Sequence, residues 1–302
     1  MLTRRNFLAL GALALPGSPR SRPAAFAGLP AALAQLERTS GGRVGVSVLD
    51  TATGERSGRR AHERFPMCST FKFLLASAVL RRADRREETL ERAVAVPRAP
   101  LLPNSPLTEP HAGGEMSVGE LCHAALTRSD NTAANLLLES IGGPTALTQF
   151  ARSIGDPVTR LDRTEIALNE ARAGDPRDST SPAAMAGDLQ SVLLGEVLSQ
   201  SSRSRLTLWM EASVTGLEAL RAKMPEGWRA ADKTGSNGAD TSNDIAVLWP
   251  AGGVPAIVAA YITGCAGPES KRAAMLAEIG RLVRESIAPL PGRRSPAAAA
   301  LL

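Results

Sequence analysis

Residues 229–263 read RAADKTGSNGADTSNDIAVLWPAGGVPAIVAAYIT. The apolar run from Ile245 to Ile262 is broken by Pro250-Ala251-Gly252-Gly253. It therefore divides into two buried strands joined by a turn, near Asp244–Trp249 and Pro255–Thr263. A third strand precedes them near Arg229–Thr234 and runs into Lys233-Thr234-Gly235. The break also rules the run out as a membrane span, which needs about 20 continuous apolar residues.

Working outward, the other end of the chain is built in the same way. Val44–Leu49 is a strand, Asp50–Gly54 a turn, and Glu55–Arg60 a second strand completing a hairpin. Helices flank these strands: Pro30–Thr39, with Leu29, Leu33 and Leu36 on one face, and Glu269–Ile287. The middle is helical. Helices are expected over Ser69–Ala83, from Ser117 with Glu120 as a capping box, over Thr132–Ile141, over Pro144–Ile154 and from Pro182 to Met210. Two loops interrupt them. Pro97–Gly114 holds five prolines and two glycines, and Asp156–Ser179 is long enough to suggest a function. Strands at both ends around a helical block give an α/β plus all-α fold. The expected arrangement is a sheet domain, 28–60 with 213–290, into which an all-helical domain, 61–212, is inserted.

Aromatics are only 3% of the 302 residues, so the core must come from Ala, Leu, Val and Ile. The net charge of +5 invites a nucleic-acid reading, but its distribution argues against one. Arg4, Arg5, Arg20 and Arg22 lie in the first segment, Arg293 and Arg294 in an Ala-rich tail, and neither stretch carries an acid. Without these arginines the body is slightly acidic, so nucleic acid is not an expected partner. Arg4-Arg5-Asn6-Phe7-Leu8, a short apolar run to Leu15 and Ala25-Phe26-Ala27 make a twin-arginine export signal over 1–27. The tail, 291–302, is expected to be disordered. Cys68, Cys122 and Cys265 are odd in number, which leaves at least one thiol unpaired. His62, His111 and His123 have no zinc-site spacing, so no metal is expected.

Three short patterns carry chemistry. In Ser69-Thr70-Phe71-Lys72, helical spacing puts Lys72 beside the Ser69 hydroxyl, and a serine needs such a neighbour to become a nucleophile. Alone this is weak, because about one S-x-x-K arises by chance in a chain of this length. Ser129-Asp130-Asn131 precedes a helix and could be a plain cap. Lys233-Thr234-Gly235 could be a plain strand end. Each of these tripeptides is expected by chance less than about once in ten such chains, and the ordered set is far rarer.

The set resembles the penicillin-recognising serine enzymes, whose signature is S-x-x-K, S-D-N and K-T-G. Glu165-Ile166-Ala167-Leu168-Asn169 narrows the resemblance to class A β-lactamases, and it extends from about Leu33 to Val283. Asn243-Asp244-Ile245-Ala246-Val247 and Met67-Cys68-Ser69-Thr70 look most like the cefotaxime-hydrolysing branch. The resemblance implies hydrolysis of penicillins and cephalosporins through an acyl-enzyme on Ser69, by a monomer without cofactor. It implies that Lys72 activates Ser69 or relays its proton, and that Ser129 passes a proton to the leaving nitrogen. Glu165 would be the base for the hydrolytic water, and Asn131 and Asn169 would hold substrate and water. Lys233, Thr234, Gly235 and Ser236 would line the substrate side, with Ser69 and Ser236 N–H groups as the oxyanion hole. Arg163 and Asp178 would pin the long loop.

Departures from the family pattern also matter. Ile166 stands where the family usually has Pro, often in a cis bond; a non-proline cis bond costs about 3 kcal/mol, so either the loop stores strain or its path differs. Cys122 and Cys68 match positions that are paired in some relatives, but the partner positions are Ala76 and Asn237. No disulfide is expected, and carbapenem hydrolysis is disfavoured. Asn104 replaces an aromatic at the site mouth. Ser242 stands where some relatives put Arg, with Arg272 as a candidate substitute. Two rivals share the three motifs, a cell-wall D,D-peptidase and a β-lactam sensor. The Glu165/Asn169 pair argues against both.

Overall fold

Val44, Val46 and Val48 alternate with Gly45, Ser47 and Leu49, and every residue of this strand except Arg43 is buried. A strand buried on both faces needs layers on both sides, and this requirement organises the molecule. The computed structural model describes residues 26–287. The tail 291–302 lies outside them, as does the export signal apart from Phe26 and Ala27.

The first helix, α1 (Leu29–Ser40), starts with Pro in its first turn and stops at Gly41, whose φ of 77° suits a residue without Cβ. Strands β1 (Arg43–Asp50) and β2 (Arg56–Arg59) form the expected hairpin. After β3 (Phe65–Pro66), a 3-10 turn over Cys68–Thr70 leads into α2 (Phe71–Asp84). Strands β4 (Ala93–Ala95) and β5 (Glu115–Ser117) pair around the proline-rich loop. Next come α3 (Val118–Thr127), α4 (Asn131–Ile141) and α5 (Gly143–Ser153). The Ser117–Glu120 capping box forms as expected. The long loop then returns to β6 (Ser179–Thr180), which pairs with β3. It is followed by α6 (Pro182–Leu189), a π turn over Gln190–Leu194 and α7 (Gln200–Glu211). The chain closes with β7 (Arg229–Ser236), β8 (Ser242–Trp249), β9 (Ala256–Thr263) and α8 (Glu269–Ile287).

The main sheet has the order β2-β1-β9-β8-β7 and is antiparallel throughout. One face packs Val44, Val46, Val258 and Leu248 against Leu33 of α1 and Ile279 and Val283 of α8. The other face, through Ile245, Val247 and Tyr261, joins the core of the helical block. At the centre of that block lies α2, with ten consecutive residues buried from Phe71 to Leu80. That run is apolar except for Lys72 and Ser77, which suits a helix packed on every side. No helix among the described residues is long and apolar enough to cross a membrane.

Three expectations shift. The α-helix starts at Phe71 rather than at Ser69. The stretch Pro182–Met210 is not one run of helix: it opens at Gly195 and is re-capped by Ser199. The second hairpin strand keeps only Arg56–Arg59.

Candidate active site

Ser69 sits in the 3-10 turn that feeds α2, 8% exposed. The turn is fixed from several sides. Met67 carbonyl oxygen accepts from Thr70 N–H and Thr70 Oγ at 3.2 and 2.9 Å and from Asn243 Nδ2 at 3.1 Å. Asn243 Nδ2 also donates to Pro66 O at 2.9 Å. Cys68 takes φ 45°, an unusual angle for a side chain with Cβ, and throws Ser69 to the end of the helix. The unpaired amides of a helix start face a developing negative charge there.

One turn into α2, Lys72 is fully buried and reaches three elements. Its Nζ donates to Ser129 O at 2.7 Å and to Asn131 Oδ1 at 2.6 Å, and lies 3.0 Å from Glu165 Oε1. Burial pushes Lys72 below the usual ammonium range, and the Glu165 carboxylate works against that shift. Ser129-Asp130-Asn131 caps a helix and also lines the cleft. Asp130 caps α4 by accepting from Ala133 N–H at 2.9 Å, and it accepts from Leu107 and Thr108 N–H at 3.0 Å. This double role locks the proline-rich loop to α4, and Ser129, at φ 57°, lines the cleft. Asn104, on the same loop, donates to Ser129 O at 3.0 Å.

The long loop brings Glu165 under Ser69. Glu165 Oε1 accepts from Ser69 Oγ at 3.2 Å, and Oε2 accepts from Asn169 Nδ2 at 2.6 Å. Asn135 grips the Glu165 backbone twice, donating to its carbonyl and accepting from its N–H, both at 2.9 Å. The Glu165–Ile166 peptide bond is cis. Arg163 pairs with Asp178 at 2.6 Å, as expected, and also with Glu170 at 2.5 Å.

The fourth wall is β7, at the sheet edge. Lys233 Nζ donates to Ser129 Oγ at 3.1 Å and to Thr234 O at 2.7 Å. Burial, then repulsion from Lys72, pushes Lys233 down to about 7, against the pull of Asp244 and Glu165. Thr234 Oγ donates to Thr215 Oγ at 2.6 Å. Gly235 passes so close to the serine turn that a Cβ there would stand 2.8 Å from Met67 O and 3.0 Å from Ser69 N. Ser69, Ser129, Asn131, Asn169, Thr234, Gly235 and Ser236 line one cleft of about 460 Å³, above the buried Lys72, Glu165 and Lys233.

Arg272 donates to Ser242 Oγ at 3.0 Å and to Gly267 O at 2.8 Å. It is fully buried behind the cleft wall. The three cysteines are free and buried. Two residues of this assembly had not been singled out as site residues. Asn135 carries a usable signal, four residues after Asn131 on one helix face. Thr215 carries none, being a lone threonine in an irregular stretch.

Comparison with known proteins agrees with this geometry. Residues 28–287 match the model of the β-lactamase enzyme family. Beta-lactamase L2 of Stenotrophomonas maltophilia is 50% identical over 297 residues, covering 93% of this chain and 98% of that protein. Beta-lactamase CTX-M-8 of Citrobacter amalonaticus is 44% identical over 253 residues, covering 84% and 87%. Among solved structures, an ancestral (GNCA) class A β-lactamase superposes with a TM-score of 0.84 at 57% identity, covering 86% of this chain and all of that one. The chain belongs to the class A serine β-lactamases, hydrolases that open β-lactams and confer resistance to them.

Proposed function

We propose that Ser69 Oγ attacks the β-lactam carbonyl carbon and that the ring C–N bond breaks to leave an ester on Ser69. The proton lost by Ser69 passes to the leaving nitrogen through Ser129, whose hydroxyl lies between Lys72 and Lys233. Backbone donors at Ser69 and on β7 stabilise the oxyanion; removing one such donor typically costs about 3 kcal/mol. Glu165 then takes a proton from a water that Asn169 helps to hold, and the water oxygen attacks the ester. The observation that carries this reading is the Glu165 carboxylate, shared by Ser69 Oγ, Lys72 and Asn169. A D,D-peptidase or a sensor needs no base at that place.

The test is Glu165→Ala. With penicillin it should trap a stoichiometric adduct, visible by intact mass, and hydrolysis should fall at least about 100-fold, as for a lost general base. Turnover near the parent rate would move deacylation to another residue.

The same reading has finer parts. Lys233, Thr234 and Ser236 bind the substrate carboxylate and acyl amide, with Asn131 on the opposite side. Ser236 Oγ accepts from Gly238 N–H at 3.0 Å, which leaves its hydroxyl hydrogen for an oxyimino-cephalosporin. The enzyme works as a monomer. It comprises a sheet domain from both chain ends, 28–60 and 213–290, and an inserted helical domain, 61–212. It is exported to the periplasm or beyond by the twin-arginine route.

A further inference from the structure

The long loop is rooted at Asp156, and a second carboxylate is buried against that root. Asp188, near the end of α6, is 2% exposed. It lines the same small cavity as Asp156, itself 4% exposed, and its Oδ2 has no hydrogen-bond partner. Asp156 already accepts from Val158 N–H at 2.6 Å and Thr159 N–H at 3.0 Å. Two carboxylates cannot both stay charged in contact away from water; they hold a proton or a cation between them. The surrounding groups offer little compensation. Arg152 of α5 spends one nitrogen on Asp156 O and Thr159 O, at 2.6 and 2.7 Å. His62 lines the same small cavity of about 330 Å³. The Tyr261 phenol of β9 is neutral and is itself pushed up by burial, then by both carboxylates among smaller causes. Among the described residues no group of three or more metal-ligating side chains gathers.

We propose that Asp188 is a positioning residue that donates a shared proton to Asp156, and so fixes the root of the loop carrying Glu165. Burial, and then the neighbouring Asp156, raise the Asp188 carboxyl well above its ordinary range. As a neutral acid it serves as a hydroxyl donor. The bond Asp188 makes closes the loop's start onto α6, next to the Thr159–Thr180 hydroxyl pair at 2.6 Å that joins the loop to β6. As pH rises, the proton leaves, two like charges face each other, and the root of the loop opens. The sign follows from linkage: the folded protein holds this proton more tightly than the unfolded chain. Its contribution is therefore complete below the unfolded Asp value, about 4, and is lost as pH rises through the folded value.

Asp188→Asn tests this on the purified mature enzyme, because an amide donates to Asp156 without titrating. Melting temperatures are measured between pH 4 and 9. Parent and variant should agree near pH 4, and the variant should gain at least about 3 °C over the parent by pH 8. Deacylation followed by adduct decay should become less sensitive to alkali in the variant. Asp188→Ala, which removes the donor, should slow deacylation at neutral pH at least about threefold and leave adduct formation within twofold. Parallel melting curves for parent and Asp188→Asn at all pH values would overturn the shared proton. So would a melting increase with millimolar Ca²⁺ or Mg²⁺ that Asp188→Asn abolishes, since a cation would then hold the pair. The kinetic part rests on Glu165 as the deacylating base; the melting part does not, so the two readings can fail separately.

Discussion

At Gly235 a single missing Cβ decides how near the sheet edge can come to the nucleophile. Any side chain there meets backbone, Met67 O and the amide of Ser69, which cannot swing aside as a flexible side-chain tip can. Gly235→Ala should push β7 away from the serine turn. Overpacking of this kind costs about 1–3 kcal/mol, and the proposed oxyanion donors on β7 would move with the strand. We expect acylation by penicillin to slow at least tenfold in stopped-flow measurements, with only a modest fall in melting temperature; an unchanged acylation rate would show that the close approach is unimportant. The grouping of the candidate site residues was legible in the sequence. Ser69, Lys72, Ser129, Glu165 and Lys233 were chosen by motif, and the fold brings them within a few bonds of one another. The reason is that each motif also builds its own local structure: Asp130 is at once the cap of α4 and the anchor of the neighbouring loop. Thr215 and Asp188 were not legible, because their roles depend on partners distant in the chain.

Among the elements, the long loop shows what spacing alone leaves open. Its length and charge pointed to function, but its shape rests on tertiary bonds. Asp178 accepts from the N–H groups of Asp162 and Arg163 at 2.8 and 2.9 Å and pairs with the Arg163 guanidinium. Its side chain is 1% exposed. Removing its charge weakens its hold on Arg163, which keeps Glu170, and on the two amides, a loss of about 1.5–3 kcal/mol. Asp178→Asn should therefore lower the melting temperature by several degrees and slow deacylation more than acylation. A variant that melts with the parent would place the anchor elsewhere. Helices and long strands were readable because they repeat with period 3.6 or 2. The ribbons β3–β6 and β4–β5 were not, since two or three residues carry no period. The opening after α6 was hidden because Val192 to Leu198 remains apolar in composition while Gly195 breaks the helix.

Across the whole molecule, the cysteines report on how closed the core is. Cys68, Cys122 and Cys265 are each fully buried, and burial pushes the Cys68 and Cys122 thiols far above their usual range. A protonated, enclosed thiol is unreactive. Native enzyme should give essentially no fast reaction with a thiol reagent, denatured enzyme should give three equivalents without reductant, and reductant should leave the melting temperature unchanged. Fewer than three would mean a bridge. The two ends of the chain come together in a sheet that matches the architecture read from the sequence, and that sheet has a temporal consequence. Every residue of β1 pairs with β9, Arg43 with Thr263 and Asp50 with Ala256, across more than 190 intervening positions. A ribosome makes β9 more than 200 residues after β1. Until then the first strand can find only β2, and pairing at such separation is slow. The order of assembly is thus the reverse of a domain that folds as it emerges. Helices of the middle can gather first, and β1 waits for a strand made more than 200 residues later.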